Sequence, residues 1–358
     1  MKPTQQLHDI GQSLWLDNIR RDLLTSGTLQ GYIDELSVTG LTSNPTIFDE
    51  AFKGSTDYDD SFRTHMKKNL SPEDLFFELA IEDLTAAADL FRPAHDATSG
   101  IDGWVSLEVS PKLAYKTQDS IAQAKRLHGQ ANRPNLFIKI PGTKDGCPAI
   151  EELIFQGIAV NITLLFDASH YQSAAEAYLR GIERRVDADL SPDVPSVASV
   201  FISRWDKAIA DQVPPGLKDQ LGIAIAKRTY RAYRELLASD RWQRLENLGA
   251  RPQRLLWAST GTKDPDASDV LYISSLPAPH TINTMPEKTL LAFADHGKVG
   301  DLMPADGGDA EAVLKEFSSA GIDADALGAK LQSDGADSFV KSWDELLAGV
   351  ENKVASLG

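Results

Sequence analysis

Eight short runs of β-branched and apolar residues recur along the chain, separated by segments that mostly carry helical periodicity or helix signals. No other feature of the sequence restricts the fold as much. The strand-like runs are SLWLDN (13–18), VTGLTSNP (38–45), GWVSLEVSP (103–111) and NLFIKIPG (135–142). They continue with GIAVNITLLF (157–166), SVASVFIS (196–203), RLLWASTG (254–261) and HTINTMP (280–286). Between them, SPEDLFFELAIEDLTAAADLF offers Ser71 as N-cap, Pro72 at the first helical position, and Glu73 and Asp74 in the first turn. The segments SPKLAYKTQDSIAQAKRL and DASHYQSAAEAYLRGIERR are predicted to begin in the same way. Strands joined through helices pair in parallel with right-handed crossovers. Eight such units most economically close into a (β/α)8, or TIM, barrel.

Two stretches need separate treatment. VLYISSL (270–276) has strand propensity, but the barrel count requires a short helix or loop there. From about residue 309 to 358 the pattern is helical, and these C-terminal helices are expected to pack on the barrel. A chain of 358 residues suggests two domains by length alone. Barrels with insertions reach that size as one unit, and no repeat or linker marks a boundary, so a single domain over 1–358 is expected.

The formal charge of −16 argues against a nucleic-acid or acidic-membrane partner, for which basic stripes are needed. An anionic ligand must therefore find a local positive pocket. One cysteine, Cys147, excludes an internal disulfide framework and suits a reducing compartment. The opening MKPTQQLHDIGQSLWLDNIRR lacks a secretory apolar region, and no apolar run reaches the roughly 18 residues of a membrane span. A cytoplasmic protein is the expectation. The seven histidines show no HExxH or HxH spacing, so no metal site is expected. Cys147 in KDGCPAI reads as a half-buried loop or helix-start residue, and the DGG at 306–308 as a turn.

In a parallel barrel, chemistry collects at the C-terminal ends of the strands. The ends here supply Asp17, Asn44, Glu108, Lys139, Asn161, Thr163, Ser199 and Ser259. Singly, each has an ordinary explanation. A lone lysine near a strand end runs its stem along apolar surface and keeps its head in water. A lone Asp, Asn or Ser after a strand is a turn former or helix cap. Convergence weakens these explanations, because one closed barrel aims all of them at one cavity. Lys139, between Ile138 and Ile140, is the least ordinary. Burial disfavours its charged form, and a neutral amine condenses with a carbonyl to give a Schiff base. Asp17 and Glu108 are candidate proton carriers for such chemistry.

LTSNPTIF, SLEVSP, LFIKIPGT, GIAVNITLLF and WASTGTK resemble, in order, the signature blocks of the transaldolases, in the longer bacterial subfamily. DNIRR and TINTMP resemble further blocks, so the likeness spans roughly residues 10 to 350. TSNPT and IKIPGT are its most specific pieces. The resemblance implies a (β/α)8 barrel and a cofactor-free enzyme of the non-oxidative pentose phosphate pathway. That enzyme moves a dihydroxyacetone unit from sedoheptulose 7-phosphate to glyceraldehyde 3-phosphate, giving erythrose 4-phosphate and fructose 6-phosphate. It further implies Lys139 as the Schiff-base lysine and Asp17 as the base at the donor's C4 hydroxyl. Glu108 and Thr163 would handle the water of imine formation and hydrolysis. Asn44, Asn161 and Ser199 would hold the hydroxyls of the dihydroxyacetone unit, and Arg204 the phosphate. Shorter transaldolases carry an arginine after the seventh strand. This chain has STGTKDP there, which makes Lys263 the nearest counterpart. Lysine binds phosphate as a point charge, without the fork of a guanidinium.

Three other readings share parts of this pattern. A Schiff-base aldolase that releases free dihydroxyacetone or triose differs only in what completes the turnover. A pyridoxal-phosphate barrel would use the lysine to hold a cofactor. A non-catalytic barrel has no reason to keep a buried amine beside two carboxylates. Whether the chain is a monomer or a dimer does not follow from the sequence.

Overall fold

A computed structural model of the chain describes residues 1–53 and 55–358. Its centre is a closed barrel of eight parallel strands in sequential order. They are β1 (Ser13–Asp17), β2 (Val38–Thr42), β3 (Trp104–Glu108), β4 (Leu136–Pro141), β5 (Val160–Leu165), β6 (Ser196–Phe201), β7 (Arg254–Ala258) and β8 (Ile282–Met285). Each lies inside one of the eight runs read from the sequence, and β1 closes the ring on β8 through Ser13–Ile282 and Leu16–Met285. VLYISSL is not a strand. Leu271–Ser275 forms a short helix that buries Tyr272 and Ile273 side by side.

The helix signals hold at two of three places. Ser71 Oγ accepts the amide of Asp74 at 3.1 Å, and the helix Pro72–Ala97 follows. Asp167 Oδ1 accepts the amide of His170 at 2.8 Å and opens the helix Ala168–Asp187. The third start is different. After Ser110 the chain makes only a 3₁₀ turn, Pro111–Leu113, and the α-helix begins at Thr117 and runs to Ala131. The Ser110 hydroxyl makes no capping bond among the described residues, and the Ser110 amide donates to Gln123 Oε1 of that later helix at 2.6 Å.

Period-two alternation along the strands explains how the barrel is filled. Towards the N-terminal end, Trp15, Trp104, Phe137, Val197, Leu256 and Ile282 belong to one buried apolar cluster. Trp104 stacks on Phe137 with ring centroids 4.1 Å apart. Gly40 makes room for this floor, since a Cβ there would lie 2.5 Å from the Trp15 ring. Two residues further along five of the strands the same inward face turns polar: Asp17 after Trp15, Thr42 after Gly40, Lys139 after Phe137, Ser199 after Val197 and Thr284 after Ile282. The barrel is thus a dry plug beneath a polar mouth. A larger cavity of about 740 Å³ opens at the other end, lined by Trp104, Phe137, Trp242 and Arg254 among others. None of the candidate site residues lines it among the described residues.

Beyond the barrel, helices Ala310–Ser319 and Ala324–Leu357 form the expected C-terminal segment. The longer one crosses the mouth, where Gln332 Nε2 donates to Leu164 O at 2.9 Å and Gly142 O at 3.3 Å. Among the described residues no helix is long and apolar enough to cross a membrane.

Candidate active site

The polar mouth encloses about 470 Å³ and is lined by Asp17, Asn44, Lys139, Thr163, Ser199, Arg204 and Lys263, among others. The two remaining sequence candidates stand directly behind these. Glu108 and Asn161 flank Lys139 in register, one on β3 and one on β5. All nine candidates therefore converge on one region.

Lys139 is 6% exposed, and two of its three ammonium donors are engaged by the protein. It donates to Glu108 Oε2 at 3.1 Å and to Ser43 O at 3.2 Å. Pairing offsets the desolvation cost of a charge among Ile138, Ile140 and the barrel walls. Burial pushes the Glu108 carboxyl above the ordinary range, against the pull of Lys139. The second oxygen of Glu108 and the hydroxyl of Thr163 are both buried without a hydrogen-bond partner among the described residues. An acceptor and a hydroxyl left open in this way on either side of the amine form a place for a reacting group or a water.

Asp17 ends β1 and lies level with Thr42 on β2. Thr42 Oγ1 donates to Asp17 Oδ1 at 2.7 Å and lies 2.7 Å from Thr284 Oγ1. Burial raises the Asp17 pKa, while Lys139, the Thr42 hydroxyl and Lys263 pull it down. Across the barrel, Ser199 Oγ donates to Asn161 Oδ1 at 2.7 Å, and Asn161 Nδ2 donates to Ser106 Oγ at 3.0 Å. This chain fixes the direction in which the Asn161 amide points. Asn44 has a structural task as well. Its Oδ1 caps the helix Pro45–Phe52 by accepting the amide of Ile47 at 3.2 Å, which leaves its amide nitrogen for the cavity.

The cationic side of the mouth lies past β6 and β7. Arg204 makes no ion pair among the described residues, and burial lowers its pKa. Its guanidinium sits 5.2 Å from the Phe201 ring centre and 5.5 Å from that of Phe339. Lys263 stands at the exposed rim, its pKa lowered by partial burial and by the neighbouring charges of Lys207 and Arg204. Arg204 and Lys263, side by side on this cavity in a chain of charge −16, form the local positive pocket that an anionic ligand requires. Ser259, just past β7, adopts a left-handed φ of 54° and lies 3.1 Å by its Oγ from Ser203 Oγ.

Sequence reasoning missed several residues of the site. Thr42 and Thr284 could have been found, because each lies on an inward-facing position inside a quoted block. Glu287, just past β8, gathers Asn18 (3.1 Å), Arg20 (3.0 Å) and Tyr32 (2.7 Å) onto its carboxylate and ties the loop after Asp17 to β8. Phe339 arrives from the C-terminal helix and had no local signal. Among the described residues, no group of three or more His, Cys, Asp or Glu side chains assembles as a metal site.

The family model for Transaldolase/Fructose-6-phosphate aldolase matches residues 14–350. Curated relatives named transaldolase align over almost the whole length of both chains. One from Arthrobacter sp. (strain FB24) is 44% identical over 99% of this chain and 98% of its own. One from Thermobifida fusca (strain YX) is 43% identical over 99% of each chain. A third, from Mycobacterium marinum, is 43% identical over 97% of this chain and 96% of its own.

Proposed function

The chain belongs to the transaldolase/fructose-6-phosphate aldolase family and is an enzyme that transfers a dihydroxyacetone unit, and from that premise we propose that it works through a Schiff base on Lys139. The observation that carries this reading is the buried Lys139–Glu108 pair facing the cavity that Asp17 also lines.

A ketose phosphate enters with its dihydroxyacetone end against Lys139. The ammonium passes a proton to Glu108 along their 3.1 Å bond, which the raised affinity of that carboxyl for a proton favours. The free amine adds to the C2 carbonyl. Loss of water, with Glu108 and Thr163 handling the protons, leaves a protonated imine. Asp17 then takes the proton from the C4 hydroxyl. The electrons of the C3–C4 bond flow into the imine, the aldose phosphate departs, and an enamine stays on the lysine. An incoming aldehyde takes back the electron pair at its carbonyl carbon, Asp17 returns the proton to the new hydroxyl, and water releases the product ketose. The Asn44 amide nitrogen, Asn161 and Ser199 hold the hydroxyls of the bound three-carbon unit, while Arg204 and Lys263 take the phosphate.

On this reading the donor is sedoheptulose 7-phosphate, the acceptor is glyceraldehyde 3-phosphate, and the place is the cytoplasmic pentose phosphate pathway. No cofactor enters any step. The rings of Phe201 and Phe339 on the cavity wall keep the enamine away from water until the acceptor arrives. The family name covers aldolases too, and release of free dihydroxyacetone is the second reading. An assay of erythrose 4-phosphate formation from sedoheptulose 7-phosphate, with and without glyceraldehyde 3-phosphate, separates the two. Transfer requires the acceptor. Equal turnover without it would assign the chain to the aldolases.

A further inference from the structure

The C-terminal helix presents Gln332, Gly335 and Phe339 along one stripe, at i, i+3 and i+7. Each meets a loop or strand end of the barrel mouth. Gln332 is bonded to the carbonyls of Leu164 and Gly142, on β5 and just past β4. Leu164 holds a left-handed φ of 60°, so its carbonyl is turned out of the regular ladder and Gln332 provides its partner. At Gly335 a Cβ would lie 3.0 Å from the Leu164 side chain and 3.5 Å from Arg204 Nη1, so the missing side chain lets the helix sit close to the guanidinium. Phe339 then closes over it. The Phe201 and Phe339 rings lie 6.3 Å apart at 77°, with the Arg204 guanidinium within 5.5 Å of both centres.

An arginine drawn partly out of water is normally held by a carboxylate, and Arg204 is half-buried. Arg204 has none among the described residues, and in a chain so acidic that matters. A carboxylate would fix the guanidinium but also neutralise it. Two aromatic faces orient it through cation–π attraction and leave its N–H fork free for an incoming phosphate.

We infer that Phe339 is a positioning residue for Arg204, so that the C-terminal helix sets how strongly the enzyme prefers phosphorylated over unphosphorylated sugars. The inference rests on Arg204 being a phosphate ligand, as proposed above. Phe201 belongs to β6 and moves with the barrel. Phe339 comes from an element 135 residues after Arg204 in sequence, and the Gln332 bonds fix its depth.

The test uses the full-length protein with erythrose 4-phosphate as acceptor and either fructose 6-phosphate or fructose as donor, and follows formation of sedoheptulose 7-phosphate. The readout is the ratio of the two kcat/KM values. Phe339→Leu keeps an apolar side chain and removes the ring. It should lower the ratio roughly 3- to 30-fold, mainly through KM for the phosphorylated donor. Phe339→Tyr, which keeps a π face, should restore it to within about twofold. Arg204→Ala should collapse the ratio, and adding Phe339→Leu to it should cost nothing more. If Phe339→Leu destabilises the fold, Phe339→Met makes the same comparison with more of the volume retained. Equal losses on both donors, or an additive loss in the Arg204→Ala background, would show that Phe339 only packs the helix or shields the enamine and would overturn the inference. If Arg204→Ala itself left the ratio unchanged, the phosphate assignment would fall and the inference with it. A collapse in Arg204→Ala with no change in Phe339→Leu would overturn the inference alone.

Discussion

Glu108 and Lys139 are register partners on adjacent strands, and their side chains meet 3.1 Å apart below the cavity. The amine therefore has a proton acceptor built into the same layer of the barrel. This arrangement predicts that fructose 6-phosphate with borohydride inactivates the enzyme irreversibly. Peptide mapping should find the reduced adduct on Lys139. A label on Lys144, or none, would end the Schiff-base assignment.

Asp17 stands on β1, two strands from Glu108 on β3, and makes no hydrogen bond to Lys139 among the described residues. If it acts only at the C4 hydroxyl, Asp17→Asn should still trap a ketose on Lys139. Turnover should fall by about 10²- to 10⁴-fold, the usual contribution of a positioned general base. Loss of the adduct together with turnover would assign Asp17 to an earlier step or to structure.

The pH profile follows from the same residue. Burial raises the Asp17 pKa, and only the ionised form accepts the C4 proton. Activity should therefore fall with decreasing pH at a midpoint above the ordinary aspartate range of about 4. The Thr42 hydroxyl favours the ionised form, so Thr42→Val should move the acid limb to still higher pH. A limb that stays in place in Thr42→Val would detach it from Asp17.

The sequence displayed the eight strands as short β-branched and apolar runs set between helix signals, and it displayed Lys139 because an ammonium interrupts an apolar strand. Closure of the barrel then brings the strand-end residues together without further information. Residues whose role depends on distant packing left no such trace. Phe339 is one helical aromatic among several until the helix crosses the mouth. Ser110 followed by Pro111 looks like a helix start, yet the chain makes only a 3₁₀ turn there and the α-helix waits until Thr117. Asn44 showed two readings, cap and ligand, and its two side-chain atoms divide between the helix end and the cavity.

Asp206 offers a stability test away from the chemistry. It accepts the amides of Leu221 (2.9 Å) and Gly222 (3.1 Å) and the hydroxyl of Tyr272 (2.8 Å), and burial pushes its pKa up to about 6 from 3.8. A folded-state value above the unfolded one means that the fold favours the protonated acid. The associated stabilisation is complete below about pH 4 and is lost as the pH rises through about 6. Relative to Asp206→Asn, which does not titrate, the wild type should lose roughly 2–3 kcal/mol between pH 4 and pH 6.5. Urea unfolding of both proteins across that range measures the difference. A flat difference would mean that Asp206 is not titrating there.

Lys263 tests the outer half of the phosphate site. Arg204 is held between two rings below the rim, whereas Lys263 stands exposed and shares its surroundings with the like charge of Lys207. A charged hydrogen bond to phosphate contributes about 1.5–3 kcal/mol, or one to two decades of affinity. Water and salt reduce that figure at an exposed position. Lys263→Ala should therefore raise KM for fructose 6-phosphate by less than Arg204→Ala does, by about tenfold at low ionic strength. Use of unphosphorylated fructose should change much less. The two variants should also differ in salt dependence. Added salt should bring the wild type and Lys263→Ala together, because the lost contact is already screened in the parent. The gap between the wild type and Arg204→Ala should persist, because that contact lies below the rim. A Lys263→Ala defect that is equal on both sugars would move this residue from phosphate binding to support of the loop after β7.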